Sequence, residues 1–420
     1  MTGVVGISYQ SAPVAVREKL AFSVEQGVAF MNSLRNEFSL PGTVLLSTCN
    51  RTELYFFSEA DNEQLLLDIQ SYLIKYKKVS SDGIDKSFFR LSGDDCVQHL
   101  FRVTSGLDSM IMGEYQILGQ VKDSFRVSSE NNLLSPVLSR MFHKAFEVGK
   151  AARNLYRIST VTLSAGEAAV KMVKNTFNNI AAEKILVVGA GQTARTVVES
   201  LEKEQCPDIT VVNRDIEKAR LLSYQYQTAV ADFTELPLEV AKSSVVFVTT
   251  AAVNPVLTVE NMAEAMNQRK APIVLFDLSV PRNVEPEVAA IEDVSLYAID
   301  DLSLSENSSQ VMNEDMLDIE ELIETALQEF NDWLTTLNLV PTIELLKERF
   351  NEVLSRRLTF VENKMSPEEF QAVSQNGKFL TDKFLQMIIH SLRETSGNGR
   401  HTSYIDMMNN MLKPLNSDQE

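Results

Sequence analysis

Cysteine is scarce in this sequence. Cys49, Cys96 and Cys206 are the three cysteines of a 420-residue chain, and they lie far apart. So small and odd a number excludes a disulfide framework and favours a reducing compartment. No apolar run approaches the roughly 18 residues that span a bilayer, and the N-terminus has no basic region followed by a long apolar segment, as a signal peptide would. We therefore expect a cytoplasmic protein.

Positive charge is scarce as well. The chain has 39 Lys and Arg against 57 Asp and Glu, which gives a net charge of −18. This balance excludes binding of nucleic acid through a general basic surface, so that any contact with RNA must use a local patch. The hydrophobic share of 44% and the charged share of 23% are typical of a globular protein. The length predicts two to four domains.

The hydrophobic pattern changes twice along the chain. In the first 150 or so residues, strand-like runs such as GVVGISY (3–9) and VLLSTCNRTELYFF (44–57) mix with helical runs such as EQLLLDIQSYLIKYKK (63–78) and DDCVQHLFRVTSGL (94–107). This mixture predicts an α+β domain. Between about 160 and 300, five strand-like runs alternate with helical segments, which is typical of a buried parallel sheet. The five runs are KILVV, DITVVN, SSVVFVTTA, APIVLFDLSVP and VSLYAIDDL.

The last part of the chain is predicted to be helical. Residues 300–332 hold eleven Asp or Glu and no Lys or Arg. Apolar residues recur there at steps of three and four, which predicts a long amphipathic helix with an acidic outer face. A helical tail with one apolar stripe either pairs with a second copy or packs on its own chain, and the pattern does not separate the two. The apolar positions are Ile319, Leu322, Ile323, Ala326, Leu327, Phe330 and Leu334.

A glycine-rich turn suggests a nucleotide site. VVGAGQTA (187–194) follows a predicted strand and opens a predicted helix. The first glycine allows a tight turn, the second lets the backbone approach a pyrophosphate, and a small third residue allows close packing of the helix. We predict dinucleotide binding; the alternative is a glycine-rich turn without a ligand. The predicted cofactor-binding residues are Gly189, Ala190, Gly191, Gln192, Thr193, Ala194, Asn213 and Arg214.

The end of the second strand indicates which dinucleotide binds. An NAD enzyme usually carries an acidic residue there, whereas an arginine can hold the 2′-phosphate of NADP. The chain has Asn213 and Arg214, followed by Asp215. We favour NADPH, although Asp215 argues against it and Arg214 alone also fits an ordinary solvated loop.

One cysteine stands at an apparent strand end beside an arginine. In TVLLSTCNRTELYFF (43–57), Cys49 is followed two places later by Arg51. A thiolate is a good nucleophile for an activated acyl group, and nearby positive charge favours the thiolate. A thioester that then receives a hydride yields an aldehyde. The alternative is that Cys49 is a small core residue.

Four stretches resemble the glutamyl-tRNA reductases of tetrapyrrole biosynthesis. LLSTCNRTELY (45–55) resembles the signature around that family's catalytic cysteine, and VTSGLDSMIMGEYQILGQVK (103–122) its second block. VPRNVEPEV (280–288) resembles the third block, and GISYQSAPVAVRE (6–18) the start of the family's chain. The order and spacing agree over roughly residues 3–305, whereas beyond 340 only helicity and length agree.

The resemblance implies a fold and a reaction. It implies a multidomain α/β homodimer with an α+β catalytic domain at 1–156, a Rossmann-like NADPH domain with a parallel sheet at 157–305, and a long linker helix with an all-α dimerisation domain at 306–420. The implied reaction is the NADPH-dependent reduction of glutamyl-tRNA to glutamate-1-semialdehyde with release of tRNA. Docking of a downstream aminomutase is our own hypothesis, because an α-amino aldehyde is reactive and gains from direct transfer.

The resemblance also assigns site residues. Cys49 is the nucleophile that takes the glutamyl group as a thioester, and His99 is an acid–base group or polarises the thioester carbonyl. From their charges, we infer that Arg51 is suited to the substrate's side-chain carboxylate and Glu114 to its α-ammonium. Cys96 and His99 stand three residues apart but lack a third ligand, so we predict no metal. The predicted substrate-binding residues are Thr48, Asn50, Arg51, Ser109, Glu114, Tyr115, Gln116 and Gln120.

Some positions depart from the family. Ser8-Tyr9 replaces a usual Asn-His, Tyr115 a proline, Tyr156 a threonine and Asp215 a threonine, which bears on fine substrate contacts and cofactor affinity. A local basic patch for tRNA is predicted on one helix, with an ordinary solvated face as the alternative. Its residues are Arg140, His143, Lys144, Lys150, Arg153 and Arg157.

Two other functions remain open from the sequence. One is an NADP-linked dehydrogenase of a small acid, in which Cys49 is structural. The other is a nucleotide-sensing dimer without catalysis. A sensor needs neither the STCNRTE loop nor His99, and substitution of Cys49 separates the reductase from the dehydrogenase.

Overall fold

The computed structural model describes residues 1–60, 62–80, 83–110, 116–155, 164–177, 179–269, 271–305, 312–362 and 364–396. The chain divides into two compact units, Met1–Glu324 and Thr325–Glu420. The boundary that we expect near residue 156 falls inside the first unit, and the three domain ranges stay a prediction.

An antiparallel sheet begins the first unit. Its four strands are ordered β2-β3-β1-β4, and every neighbouring pair is antiparallel. The strands predicted around the cysteine are confirmed, whereas the short β4 was not predicted. The strands are β1 (Thr2–Ser8), β2 (Gly42–Ser47), β3 (Arg51–Phe57) and β4 (Phe89–Ser92). The helices are α1 (Val14–Leu20), α2 (Val24–Phe38), α3 (Gln64–Tyr76), α4 (Gly93–Ser105), α5 (Gln116–Glu130) and α6 (Pro136–Leu155).

Helices cover both faces of this sheet. Leu54 and Phe56 of β3 pack in one core cluster with residues of α2 and α3. Because side chains alternate along a strand, Glu53 and Tyr55 point to the opposite face, where α4 and α6 lie. The strand is therefore buried on both sides, and its polar side chains must find partners inside the protein.

A parallel sheet forms the rest of the first unit. Its six strands are ordered β10-β9-β8-β5-β6-β7, all in parallel pairs. The order reverses between β5 and β8, which is where sheets of this topology bind dinucleotides. Five strands are confirmed; the short, partly exposed β7 was not predicted. The strands are β5 (Ile185–Val188), β6 (Ile209–Val212), β7 (Ala229–Ala231), β8 (Val245–Val248), β9 (Ile273–Asp277) and β10 (Val294–Ala298).

The helices of this region lie on both faces of the parallel sheet. Val187 packs in the cluster that includes α7 and α8, whereas Leu186 and Val188 pack in the cluster that includes α10 and α11. The central strands β5, β6 and β8 are buried on both faces and largely apolar. By contrast, β7 and β10 are partly exposed, and β9 ends in the buried Asp277. The helices are α7 (Ala165–Thr176), α8 (Gln192–Lys203), α9 (Ile216–Tyr226), α10 (Leu236–Lys242) and α11 (Val259–Asn267).

Two long helices end the described chain, α12 (Met312–Glu362) and α13 (Pro367–Ser396). The predicted amphipathic helix is confirmed, since Ile319, Ile323 and Phe330 are buried. In the second unit, Leu346 and Leu385 form a small core. None of the helices in the described part of the chain is long and apolar enough to cross a membrane.

Candidate active site

Cys49 lies in the tight turn between β2 and β3. The Thr48 N–H donates to the Arg51 carbonyl at 2.8 Å, and the Asn50 N–H donates to the Thr48 hydroxyl at 3.2 Å. The Asn50 carbonyl accepts from the Tyr9 N–H at 2.8 Å, which ties the turn to the end of β1. Cys49 is half-buried, and it packs against the hydrophobic cluster of the parallel sheet. The turn therefore places this thiol at the meeting of the two sheets.

The other two cysteines have different surroundings. Cys96 is fully buried in α4, and burial together with the charge of Glu53 raises the pKa of its thiol far above the ordinary value. Burial also raises the pKa of Cys206, as does Glu204. A raised pKa disfavours the thiolate and makes a cysteine inert. Position and environment thus single out Cys49 as the candidate nucleophile.

A buried ionic network lies beside the turn. Arg51 and Glu53 are 2% and 0% exposed, and a nitrogen of the Arg51 guanidinium lies 2.7 Å from Glu53 Oε1. His99 places Nε2 3.2 Å from Glu53 Oε1 and Nδ1 3.3 Å from Asp108 Oδ2. The Tyr55 hydroxyl donates to Glu53 Oε2 at 2.7 Å, and Arg51 also donates to the Asp108 carbonyl. The network joins the cysteine turn to the segment after α4.

The charges in this network stabilise one another. Burial alone raises the pKa of Glu53, but the nearby charges of Arg51 and His99 and the hydrogen bond from Tyr55 outweigh burial and lower it to about 2. Burial alone lowers the pKa of His99, but Glu53 and Asp108 outweigh it and raise this pKa to about 9. Near neutral pH, Glu53 is therefore a carboxylate and His99 an imidazolium.

Three predicted substrate-binding residues carry buried polar atoms without a hydrogen-bond partner among the described residues. These atoms are Asn50 Oδ1, Arg51 Nε and Gln116 Nε2. Buried polar groups are normally hydrogen-bonded, so each exception requires an explanation. Asn50 lies in the cysteine turn and Arg51 directly follows it, so a polar ligand at this turn is one explanation for their two atoms.

The remaining predicted substrate residues are placed as follows. Thr48 and Gln120 line one cavity of about 220 Å³. Ser109 is buried, and its carbonyl accepts a hydrogen bond from the Tyr9 hydroxyl at 3.1 Å. Tyr9, which departs from the family's usual residue, therefore directly contacts the segment 103–122, which resembles the family's second block. Glu114 and Tyr115 lie outside the described residues. The cavity is also lined by Phe22, Ser23, Val24, Gly27, Met31, Leu45, Ser47, Asp123, Ser124 and Val127.

The glycine turn after β5 fits a pyrophosphate. Gly189 has a φ of +119°, and a Cβ there would lie 2.6 Å from Thr249 Oγ1. At Gly191, a Cβ would meet no described atom within 4 Å, so the space beside this backbone is open. Gly191 is also the N-cap of α8, and no described side chain caps the helix. Its first-turn N–H groups are therefore available to an anion, while Ala194 is buried against the sheet.

A second cavity lies at the carboxyl ends of β6 and β8. It has a volume of about 230 Å³ and includes both predicted residues Asn213 and Arg214. Arg214 is exposed, and its guanidinium carbon lies 5.5 Å from the centre of the Phe233 ring. Asp215 accepts from the Glu217 N–H at 3.2 Å as the N-cap of α9, which gives this departure a structural role. The other lining residues are Thr250, Ala251, Ala252 and Val256.

Sequence reasoning missed Glu53, although a signal was present. Arg51, Glu53 and Tyr55 alternate along β3 and therefore share one face of the strand. Polar residues at every second position of an otherwise apolar strand indicate a buried network. The partners His99 and Asp108 come from other elements and carry no such signal.

Three family models match the chain. The model for the N-terminal domain of glutamyl-tRNA reductase matches residues 5–155, and that for its dimerisation domain matches residues 318–414. Between them, the model for shikimate and quinate 5-dehydrogenases matches residues 171–304. The cysteine turn lies in the range 5–155, and the glycine turn lies in the range 171–304.

Full-length relatives were found as well. Glutamyl-tRNA reductase of Rubrobacter xylanophilus is 35% identical over 404 residues, which cover 95% of this chain and 93% of that protein. The protein of the same name from Bacillus subtilis is 32% identical over 399 residues, covering 93% and 87%. Among solved structures, glutamyl-tRNA reductase of Methanopyrus kandleri is 28% identical with a TM-score of 0.49, covering 96% of this chain and 98% of that one.

Proposed function

The chain belongs to the glutamyl-tRNA reductase family, and from that membership we propose how its own residues carry the reaction. It reduces glutamyl-tRNA to glutamate-1-semialdehyde with NADPH and releases the tRNA, which is the first step of tetrapyrrole biosynthesis by the five-carbon route. The observation that carries this function is similarity over nearly the whole chain.

Cys49 is the proposed nucleophile. Its sulfur attacks the carbonyl carbon of the ester that joins glutamate to the tRNA ribose, and the ribose oxygen leaves with a proton. A thioester between Cys49 and the glutamyl group results. NADPH, when bound, supplies the hydride that reduces this thioester. The position of Cys49 against the hydrophobic cluster of the parallel sheet supports this role, because the acyl group then forms beside the nucleotide fold.

The glutamyl group is held by the residues around the turn. Arg51 binds its side-chain carboxylate, for which Nε is the nitrogen without a partner among the described residues. Asn50 and Gln116 satisfy their buried polar atoms on the same ligand. Ser109 follows Asp108, whose carbonyl accepts a hydrogen bond from Arg51. The roles of Glu114 and Tyr115 remain predictions from the family. Thr48 and Gln120 bind the part of the substrate that enters their shared cavity.

His99 acts as a positioning residue in this proposal. Its two nitrogens face Glu53 and Asp108, and its raised pKa keeps the ring charged. The imidazolium balances Glu53, which in turn fixes the Arg51 guanidinium. These contacts favour an indirect role through Arg51. That His99 is an acid–base group or polarises the thioester carbonyl stays a prediction from the sequence.

NADPH is held by the parallel sheet. The pyrophosphate fits the open space at Gly191, and the N–H groups of the first turn of α8, from Gln192 to Ala194, donate hydrogen bonds to it. Gly189 and Ala190 form the turn that brings the backbone there. Asn213 and Arg214 line the second cavity, where the guanidinium binds the 2′-phosphate.

The protein is a homodimer through its C-terminal helices. Large apolar side chains of the second unit are exposed in a single chain, including Phe379, Phe384 and Met387, which are 61%, 54% and 65% exposed. Exposed apolar surface of this kind marks a protein interface. Contact with a second copy would remove it from water.

The tRNA is proposed to contact α6. His143, Lys150 and Arg153 are exposed on this helix and are spaced to share one side. Lys144 is largely buried and pairs with Glu147, so it is less suited to phosphates. Arg140 is partly exposed, and Arg157 lies outside the described residues. A local cluster of this kind overcomes the acidic balance of the whole chain.

We further propose a cytoplasmic location and a complex with the aminomutase that consumes the aldehyde. The scarcity of cysteine supports the first proposal, and the reactivity of an α-amino aldehyde supports the second. Co-migration of the two purified proteins, or faster aldehyde transfer at working concentrations, tests the complex. Independent migration without faster transfer would rule it out.

The decisive test of function is NADPH consumption with charged glutamyl-tRNA, comparing the wild type with Cys49→Ser. We expect turnover only in the wild type, with formation of the aldehyde. NADPH binding without turnover in either protein would instead favour a sensor. Turnover of a free acid by both proteins would favour a dehydrogenase in which Cys49 is structural.

A further inference from the structure

The short helix α1 carries a buried arginine that touches the cysteine turn. Arg17 is 2% exposed, and its Nε donates to the carbonyl of Cys49 at 3.2 Å. A second nitrogen donates to the Ala12 carbonyl at 2.9 Å. The guanidinium also pairs with both carboxylate oxygens of Asp300, at 2.7 Å and 3.3 Å. One side chain therefore joins the Cys49 backbone to a residue far along the chain.

Asp300 belongs to the region of the parallel sheet. It follows β10, whose last residue is Ala298, and so lies at the carboxyl end of that strand. Its carboxylate also accepts from the Val14 N–H at 3.1 Å, at the start of α1. Dinucleotides bind outside the carboxyl ends of such strands. Arg17 thus connects the candidate nucleophile to the carboxyl side of the parallel sheet, the side on which dinucleotides bind.

The next residue of α1 makes a second salt bridge of opposite polarity. Glu18 receives two hydrogen bonds from the Arg282 side chain, at 2.9 Å and 2.6 Å, and one from its N–H at 3.3 Å. Arg282 follows β9, which ends at Asp277. Two adjacent residues of α1 with opposite charges, Arg17 and Glu18, therefore pair with Asp300 and Arg282. These two partners follow the neighbouring strands β10 and β9. A shift of α1 along the sheet would bring like charges together, so the two pairs fix its register.

We propose that Arg17 is a positioning residue that holds acylated Cys49 at the carboxyl side of the parallel sheet. It thereby decides whether the thioester is reduced or hydrolysed. The proposal rests on the reductase function. Hydrolysis adds water to the thioester carbonyl, breaks the C–S bond, and releases glutamate and the Cys49 thiol. Reduction adds a hydride from NADPH to the same carbon, and the departing Cys49 sulfur takes a proton as the aldehyde leaves. Water needs no positioning, whereas hydride transfer is sensitive to a displacement of about 1 Å.

Two variants weaken this link from opposite ends. Arg17→Lys keeps the charge, but an ammonium lacks the planar fork that bonds Cys49, Ala12 and Asp300 together. Asp300→Asn leaves the bonds from Arg17 to Cys49 and Ala12 in place and removes the charge and one acceptor oxygen on the sheet side. Asp300 is partly exposed, so this variant serves if Arg17→Lys does not fold. Lys19→Gln, at an exposed position of the same helix, is the matched control.

The experiment uses the full-length protein and tRNA charged with labelled glutamate. The label bound per subunit is measured in acid-quenched samples without NADPH, and NADPH affinity is measured by fluorescence. The ratio of glutamate to aldehyde is then measured with NADPH present. We expect thioester yield and NADPH affinity to be unchanged in both variants, while the product ratio rises about tenfold or more. Lys19→Gln should match the wild type in all three measurements.

Either of two results would overturn the proposal. An unchanged product ratio in Asp300→Asn and Arg17→Lys would show that the link does not position Cys49. A loss of thioester formation in both folded variants would show that Arg17 acts in acylation instead. If the wild type itself forms no thioester with glutamyl-tRNA, the reductase function fails before Arg17 is tested, so the two failures are distinguishable.

Discussion

The two sheets of the first unit use their residues in opposite ways. The antiparallel sheet carries charged side chains within a strand, where Arg51 and Glu53 of β3 are buried together. In the parallel sheet, the residues assigned to the nucleotide come directly after buried strands, as Gly189 follows β5 and Asn213 follows β6. The charged network beside the Cys49 turn is thus built from side chains within a sheet, whereas cofactor binding is assigned to backbone and loops at strand ends.

This difference has an energetic consequence. Burying charges is costly, and a buried ion is tolerated only when its partners remain. The first sheet should therefore be sensitive to the loss of a single charge. The second sheet should be sensitive to backbone shape, because a nucleotide is bound there mainly by N–H groups and open space.

The largest expected effect breaks the charge balance of the antiparallel sheet. Glu53→Gln leaves Arg51 and charged His99 without their shared counter-ion, so the free energy of unfolding should fall by about 3–5 kcal/mol. Tyr55→Phe removes only one hydrogen bond to the same carboxylate and should cost about 1–2 kcal/mol. Urea denaturation measures both. Equal losses in the two variants would contradict a network held together by charge.

The pH dependence of stability sharpens the same contrast. The pKa of His99 is about 9 in the folded protein, against 6.5 ordinarily. Its stabilising effect is therefore fully present below about pH 6.5 and is lost as the pH rises through 9, by up to about 3 kcal/mol. His99→Gln should lose this slope between pH 6.5 and 9.5 in urea unfolding. The same slope in both proteins would show that His99 is not charged in the folded state.

The parallel sheet should respond to backbone shape instead. Gly189→Ala puts a Cβ at positive φ and close to Thr249, which should destabilise the protein by about 2 kcal/mol. Gly191→Ala meets no described atom, so stability should stay within about 0.5 kcal/mol while NADPH affinity falls. Thermal melting and NADPH titration separate the two effects. Unchanged NADPH affinity in Gly191→Ala would mean that the pyrophosphate does not occupy that space.

The smallest effect concerns the choice of cofactor. Arg214→Gln should weaken NADPH binding about tenfold, or about 1.4 kcal/mol, and leave NADH binding unchanged, because only NADPH carries the 2′-phosphate. Lys218→Gln, on the exposed side of α9, is the control. Equal loss for both nucleotides would place Arg214 elsewhere in the site.

The sequence predicts the parallel sheet better than the antiparallel site. Its signals are local: the glycine turn, the strand before it and the Asn213–Arg214 pair can each be recognised from residues that are neighbours in the sequence. The network around Glu53 is not local, since His99 comes from α4 and Asp108 from the segment after it. Glutamate is usually exposed, so only its place between Arg51 and Tyr55 hinted at burial. Arg17 was missed for the same reason, because its partner Asp300 lies beyond the parallel sheet.

The most direct test locates the acyl group. Wild-type protein is mixed with labelled glutamyl-tRNA without NADPH, quenched in acid and digested, and the labelled peptide is identified by mass spectrometry. We predict a glutamyl thioester on Cys49 and its absence in Cys49→Ser. A label on Cys96 or Cys206, or aldehyde formation by Cys49→Ser at the wild-type rate, would contradict the assignment of Cys49 as the nucleophile.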